Sequence, residues 1–365
     1  MSFPLVSDQA TLQAWLESHN DSGDPVCLDT EADSLHCYHE KLCLIQVTVS
    51  GETVLIDPLQ GLDLEPLMAW AEPREVVFHA ADYDLKMLST IRPFLPATMR
   101  DTSIAARLLG YRELGLAALL EKVLGVQLAK TSQKANWAKR PLTEIMIEYA
   151  ANDTMHLQPL MDSLATELKA KQRWHWFEES CERAVRQSQV FREKDEDRVW
   201  RISGYAKLKP RALAVLRALW QWREQEAAER DRPTFHVLRN EELLRAAICF
   251  DEGKRFSSAQ LKAGHRKEFE TRAREALKLP EEEWPRKLMH TRGKKATEEQ
   301  EARLQALKTL RDEKAEALEL DGSVIAPRAA LERAAYEPPR ASELLMNWQL
   351  ELLELPKGEF AEQSV

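Results

Sequence analysis

Apolar and polar positions change rhythm near residue 170: short apolar runs punctuated by acids and turns come before it, and helical spacing dominates after it. SDQATLQAWLES opens on a Ser-Asp cap and spaces Leu12, Trp15 and Leu16 helically. PVCLDTEAD is an apolar run that ends in acids, which predicts a buried strand. LCLIQVTVS and TVLIDPL predict two more strands, and Ser50-Gly51-Glu52 between them predicts an antiparallel hairpin. EVVFHAA predicts a fourth strand, with DYDLKMLSTI as a helix behind it. DTSIAARLLG and LGLAALLEKVLG predict two further helices, the second closed by glycine. TEIMIEYAANDTMHLQPLMDSLATELKAKQ predicts one long helix with Ile145, Met146, Tyr149, Asp153, Leu157, Leu160 and Leu164 along a single stripe. Strands that first pair antiparallel and then alternate with helices predict a mixed-sheet α/β domain over residues 1–170.

Residues 171–204 read as a charged helical connector. Two Leu-rich helical blocks follow, over 205–285 and 297–356. Each runs from an amphipathic helix through a polar turn containing Asp to a second helix that includes Leu243 and Leu244, or Leu331. They read as tandem copies, the second more diverged. The basic stretch 286–296 between them reads as a linker, and 357–365 as a mobile tail.

Composition narrows the function classes. Lys and Arg number 51 against 60 Asp and Glu, a net charge of −9, so whole-surface binding of a polyanion is excluded and any nucleic-acid contact must come from local basic patches. No apolar run approaches a membrane span, and the N-terminus lacks the basic-then-apolar order of a signal peptide. Cys27, Cys37, Cys43, Cys181 and Cys249 form an odd set without C-x-x-C. They read as reduced thiols in a cytoplasmic protein rather than as a disulfide frame or zinc site.

Three acidic elements carry candidate chemistry. Asp29 and Glu31 in CLDTEAD are two apart on a strand, so both point to one face. Asp84 in FHAADYDLKML lies early in a helix. Tyr149 and Asp153 are four apart and share a helix face that should pack on the sheet. Taken singly, each has an ordinary explanation: a strand end turning to solvent, a helix cap, a satisfied Tyr–Asp core pair. Together, four carboxylates drawn to one sheet edge repel strongly, by about 1 kcal/mol per pair in water and about 4 at an effective dielectric of 20 for charges ~4 Å apart. Divalent cations relieve this, and an all-oxygen ligand set selects Mg²⁺ or Mn²⁺. Two such ions can activate a water and stabilise the leaving oxygen of a phosphodiester, with the Tyr149 hydroxyl beside the water.

CLDTEADSL with LCLIQV, FHAADYDLKML and YAAND resemble the three exonuclease motifs of the DEDD superfamily in its tyrosine-bearing branch, and within it the ribonuclease D family. The run WAKRPLTEIMIEYAANDTMHL follows the same family, and Trp222-Arg223 with DRPTFHVL resembles its HRDC signature. The resemblance covers nearly the whole chain. It implies a ribonuclease-H-like exonuclease domain followed by two all-α HRDC-like domains. It also implies metal-dependent 3′→5′ trimming of RNA, tRNA precursors among its substrates, with release of 5′-monophosphates. Asp29, Glu31, Asp84 and Asp153 are then the metal ligands for two divalent cations, and Tyr149 serves the attacking water. Four positions depart from the family pattern: Ala32, Ala129 and Ala135-Asn136 stand where a bulky aromatic, an Asp and Ser-Asp are usual.

The expected partner is RNA with a free single-stranded 3′ end, with no membrane and no obligate protein partner. Lys130, Lys134, Lys139 and Arg140 precede the third motif with no acid between Glu121 and Glu144, so they are candidate phosphate contacts, with Trp137 read either as a plug of the core or as a candidate stacking ring. His79 reads as a core histidine, and Trp220 and Trp222 as helical core. The alternatives are a DNA 3′→5′ exonuclease of the same chemistry and a non-catalytic nucleic-acid adaptor.

Overall fold

The computed structural model describes residues 3–128, 132–190, 195–288 and 296–356. Lys130, most of the basic linker and the tail from 357 lie outside the described residues. The chain forms two units, one of Met1–Ala32, Leu42–Val190 and Gly293–Val365, the other of Asp33–Lys41 and Phe191–Arg292.

In the first unit the elements begin β1 (Leu5–Val6), α1 (Gln9–Ser18), β2 (Val26–Ala32), β3 (Leu42–Val49), β4 (Glu52–Ile56), α2 (Glu65–Ala71) and β5 (Glu75–Phe78). They continue as α3 (Asp82–Leu88), β6 (Thr98–Asp101), α4 (Thr102–Leu108), α5 (Leu116–Leu124), α6 (Glu144–Met155), α7 (Leu157–Ala170) and α8 (Trp174–Ser188). The sheet order is β1-β4-β3-β2-β5-β6. Strands β2, β3 and β4 pair antiparallel, while β1 joins β4, β5 joins β2 and β6 joins β5 in parallel. The β3–β4 hairpin turns on Ser50 at φ 51° and Gly51 at φ 80°. Two successive left-handed residues are what a two-residue hairpin turn matched to strand twist needs. Every residue of β3 is buried, because helices cover both faces of this central strand.

The single helix expected over the third motif is two helices. His156, at φ −106° and ψ −1°, separates α6 from α7. Pro159 follows three residues later, where it has no N–H for the Met155 carbonyl and its ring crowds that carbonyl. The break also redirects the apolar stripe: Ile145 is 61% exposed, and α6 buries Ala150, Ala151 and Thr154 instead. The short β1, β6 and α2 gave no clear periodicity in the sequence.

Residues 171–190 are not a free connector. Helix α8 buries Trp176, Phe177 and Cys181 in the core of the exonuclease-like domain. Trp174, Phe177, Cys181 and Val185 form a stripe at helical spacing that the surrounding charges obscure in the sequence.

In the second unit, α9 (Pro210–Glu229), α10 (Thr234–Val237), α11 (Asn240–Asp251) and α12 (Ala263–Leu277) close over Trp200, Leu216, Trp222, Leu243 and Phe269. Trp222 is core as expected, and Trp220 packs against it partly buried. Asp231 of the DRPTFHVL stretch accepts hydrogen bonds from the backbone of Tyr38 (3.0 Å) and His39 (2.9 Å) and pairs with Lys41 (3.1 Å).

The last elements belong to the first unit: α13 (Glu298–Leu318), α14 (Gly322–Ile325), α15 (Arg328–Tyr336), α16 (Ala341–Leu344) and α17 (Asn347–Leu352). They repeat the order long helix, left-handed residue, short helix, helix seen in α9–α11, with Glu319 (φ 56°) where that block has Asp231 (φ 44°). Trp348 stacks on Trp176 at 4.8 Å, Glu179 accepts from the backbone of Asn347 and Trp348, and the Arg173 guanidinium joins the carbonyls of Leu108 and Leu318.

Candidate active site

Strand alternation puts Asp29 and Glu31 on one face of β2, opposite Gln46 and Leu44 of β3. Helix α6 packs on that face and carries Tyr149 and Asp153, one turn apart. Carboxylate oxygens of Asp29, Glu31 and Asp153 lie within 4.8 Å of one another. Asp84 enters from the first turn of α3, after the left-handed Ala80 (φ 61°) redirects the chain out of β5. It stands outside that three-oxygen group. Its Oδ1 accepts from the backbone N–H of Thr30 (2.9 Å) and from the Thr30 hydroxyl (2.6 Å). The residue between the two strand acids therefore ties the helix acid to the strand. Sequence reading passed over Thr30; the signal was a hydroxyl residue inside a D-x-E.

All four carboxyls are pushed up, as a desolvated acidic cluster must be. Burial is the largest cause in each case. Glu31 rises to about 10, with repulsion from Asp29, Asp153 and Asp84 added to its burial. Asp153 rises to about 7, held back by a hydrogen bond donated by the Tyr149 hydroxyl. Asp29 is raised well above the ordinary value, with Asp153 as the second cause, and Asp84 likewise, with Asp29 as its second cause and Thr30 opposing. The Tyr149 hydroxyl is itself pushed up by burial and by the charges of Asp153, Glu31 and Asp29, against a hydrogen bond from the Gln133 side chain. A phenol in this setting keeps its proton.

The acids open onto a cavity of about 440 Å³. His79, Gln133, Leu128 and the first turn of α5, Gly115–Ala118, complete its wall. No side chain caps that end of α5. His79 bonds Thr102 Oγ1 at 2.8 Å and the Leu114 backbone, and burial holds it below the ordinary histidine value. It is a wall residue with protein partners rather than a purely interior one.

The donor set suits a hard divalent cation: carboxylate oxygens only, gathered from two elements and costly to ionise without a counter-charge. Three such oxygens, all within 4.8 Å of one another, are close enough together to share one such cation.

Comparison with known proteins agrees with this site. Residues 3–169 match a 3′-5′ exonuclease family model, and residues 212–248 match an HRDC domain model. The chain is 35% identical to ribonuclease D of Haemophilus influenzae over 285 residues, covering 76% of this chain and 70% of the relative. This chain belongs to the ribonuclease D family. It is also 36% identical to ribonuclease D of Zymomonas mobilis over 250 residues, covering 67% of this chain and 63% of that protein, so the match spans just under two thirds of that relative's length. The crystal structure of Escherichia coli RNase D, described as an exoribonuclease involved in structured RNA processing, superposes with a TM-score of 0.70 at 26% identity over 97% of this chain and 99% of that one. The family acts on RNA and depends on divalent metal. The HRDC match falls within α9–α11. No helix among the described residues is long and apolar enough to cross a membrane, and none of the five cysteines is in a disulfide.

In the segment before the third motif, Trp137 and Arg140 do not take the RNA-contact roles considered for them. Trp137 is 1% exposed and packs with Leu44, Leu55 and Tyr149 in a core beneath the site. It is no stacking platform: the ring steadies Tyr149 from 6.1 Å. Arg140 spends all five guanidinium donors inside the protein. Two go to Asp57 at 2.6 Å each, and three to the carbonyls of Trp137, Lys139 and Cys43. None is left for a phosphate. Lys134 and Lys139 are exposed.

Proposed function

We propose that this chain shortens RNA from a single-stranded 3′ end one nucleotide at a time, releasing 5′-monophosphates, with tRNA precursors as a substrate class. Asp29, Glu31, Asp84 and Asp153 would hold two divalent cations, Mg²⁺ or Mn²⁺. When bound, the cations polarise the phosphodiester and neutralise charge on the attacking and leaving oxygens. The protein's own groups do the rest. Asp84 stays aligned through Thr30. Tyr149 keeps its proton, donates to Asp153 and presents its oxygen to the attacking water. The cavity of about 440 Å³ has the size of a small-molecule site and suits one terminal nucleotide. Five cysteines with no disulfide among them suit a cytoplasmic setting.

One observation carries this reading: three carboxylates from β2 and α6 within 4.8 Å of each other beside Tyr149, in a chain of the ribonuclease D family. The test is incubation with 5′-labelled single-stranded RNA and DNA, with Mg²⁺ and with chelator. RNA shortened to a ladder only when metal is present is the expected result. Cleavage in chelator, or internal cuts instead of a ladder, would overturn it.

Tyr149→Phe is expected to lower turnover by roughly 10²-fold, within the usual range for a group that assists proton movement, while Mn²⁺ affinity changes less than threefold. Steady-state kinetics with calorimetric Mn²⁺ titration separate the two effects. Equal loss of both would make Tyr149 a scaffold for the cluster rather than a partner of the water. Lys134 and Lys139 remain the phosphate contacts of this loop. A Lys134→Ala/Lys139→Ala variant is expected to reduce the slope of log affinity against log salt by one to two units for single-stranded RNA, about 0.7 per lost contact. An unchanged slope removes both from the interface.

A further inference from the structure

Gln46 lies in the middle of β3, fully buried, and neither its amide nitrogen nor its amide oxygen has a hydrogen-bond partner. A buried polar group left unpaired is costly, and a carboxamide cannot escape that cost by changing its charge. Packing alone does not call for it, since leucine or methionine fills the same volume without polar atoms. Its position is informative. The β2–β3 register sets Gln46 directly opposite Asp29 on the face that α6 covers, which places the two side chains next to each other. Its same-face neighbours along β3 are occupied. Leu44 belongs to the apolar group of Trp137 and Ala150, and the Thr48 hydroxyl bonds Thr154 (2.8 Å) and Thr53 (2.7 Å). Ala150 and Thr154 flank Asp153 on α6, so the unpaired amide sits under the helix segment that delivers one acid and beside the strand residue that delivers another.

We infer that Gln46 is a positioning residue for the cation cluster: as the acids draw in around a divalent cation, its amide N–H bonds the Asp29 oxygen turned away from the ion and fixes that carboxylate's rotation. The inference rests on the metal-binding reading of the acids and adds a residue to it. Groups that orient a ligand from behind are worth 10–100-fold in metal affinity or activity. Gln46 gains its partner only in the loaded state, so removing the amide should weaken cation binding without weakening the metal-free fold.

The test uses the full chain, with Gln46→Met as near-isostere and Gln46→Leu as the second apolar variant. Mn²⁺ affinity is measured by calorimetry without RNA, and melting temperature is measured in chelator and in Mn²⁺. Expected are at least tenfold weaker Mn²⁺ binding, a melting temperature in chelator equal to or above that of the natural chain, and a smaller gain on adding Mn²⁺. A variant that binds Mn²⁺ as tightly as the natural chain overturns the role. So does a variant whose melting temperature in chelator falls by as much as its gain, which marks a packing residue. The third readout needs no folded variant: the side-chain amide resonance of Gln46 in ¹⁵N-glutamine-labelled natural chain is expected to shift on Mg²⁺ addition, and a static resonance overturns the proposal. A natural chain that binds no divalent cation defeats the metal reading itself, whereas tight binding with an indifferent Gln46 defeats this inference alone.

Discussion

Asp29→Asn and Asp153→Asn are each expected to reduce trimming of a single-stranded RNA tail by roughly 10³-fold or more, the scale of losing a main electrostatic group at a reacting phosphate. The same variants should be no less stable than the natural chain in chelator at neutral pH, because each removes a charge that the folded state resists. The sign follows from Asp153, whose carboxyl stands at about 7 in the folded protein against an ordinary 3.8. Below pH ~4 both folded and unfolded chains hold the proton and nothing is gained or lost. Between about 4 and 7 the unfolded chain releases a proton that the folded chain keeps, so stability falls as pH rises through that window. Above it the penalty is complete. Asparagine never ionises and escapes it. Melting curves in chelator should therefore rank Asp153→Asn above the natural chain at pH 7.5, with the gap closing towards pH 4. Added Mg²⁺ or Mn²⁺ should raise the natural chain more at pH 7.5 than at pH 5.5 and should raise the variant little at either. Full activity in a folded Asp29→Asn or Asp153→Asn protein would remove these acids from the chemistry.

Arg140→Met is expected to cost roughly 3 kcal/mol of stability, the lower end for breaking a buried ion pair, since the guanidinium is partly exposed. Its partner Asp57 is 1% exposed and would be left charged without a counter-ion. Burial pushes the Asp57 carboxyl up, but hydrogen bonds from Arg140 and Gln60 and the charge of Arg140 outweigh it, so the group sits below the ordinary value. The sign is opposite to that of Asp153. The pair's contribution is fully present above the unfolded carboxylate value near 3.9 and is lost as pH falls through the lowered folded value. Chemical denaturation at pH 7 should show the deficit, and the gap between variant and natural chain should shrink in acid. Changing both partners, Asp57→Leu with Arg140→Met, should recover much of the loss, because no uncompensated charge remains. The salt slope of RNA binding should not change in a folded Arg140→Met protein, since no donor of Arg140 is free. A smaller slope with normal stability would return Arg140 to the RNA interface.

These two sites show how differently the sequence exposes its meaning. Asp29 and Glu31 were readable because a strand has a fixed period of two, and Tyr149 with Asp153 because a helix places residues four apart on one face. Asp84 was readable only through its motif. Its alignment depends on Thr30, and a hydrogen bond between residues 54 apart leaves no local pattern. Arg140 looked like a surface nucleic-acid contact because it lies in a basic stretch, and Trp137 read either as a stacking ring or as a plug of the core. Charge along the chain does not reveal that Asp57 and three carbonyls consume the guanidinium, or that the indole closes a core with Leu44 and Leu55.

From the sequence alone came the strand and helix alternation of the first domain, the β3–β4 hairpin, the four acids with their tyrosine, and the repeated helical blocks. Apart from Asp84, which only the resemblance of its motif marks, these rest on local periodicity or on turn chemistry that neighbouring residues determine. The break at His156, the capture of α8 into the exonuclease core, the bond from Thr30 to Asp84, the sealing of Arg140 by Asp57 and the unpaired amide of Gln46 beside Asp29 were decided by tertiary structure. Each depends on which distant side chain fills or fails to fill a bonding position, and that is settled only when the layers pack and exclude water.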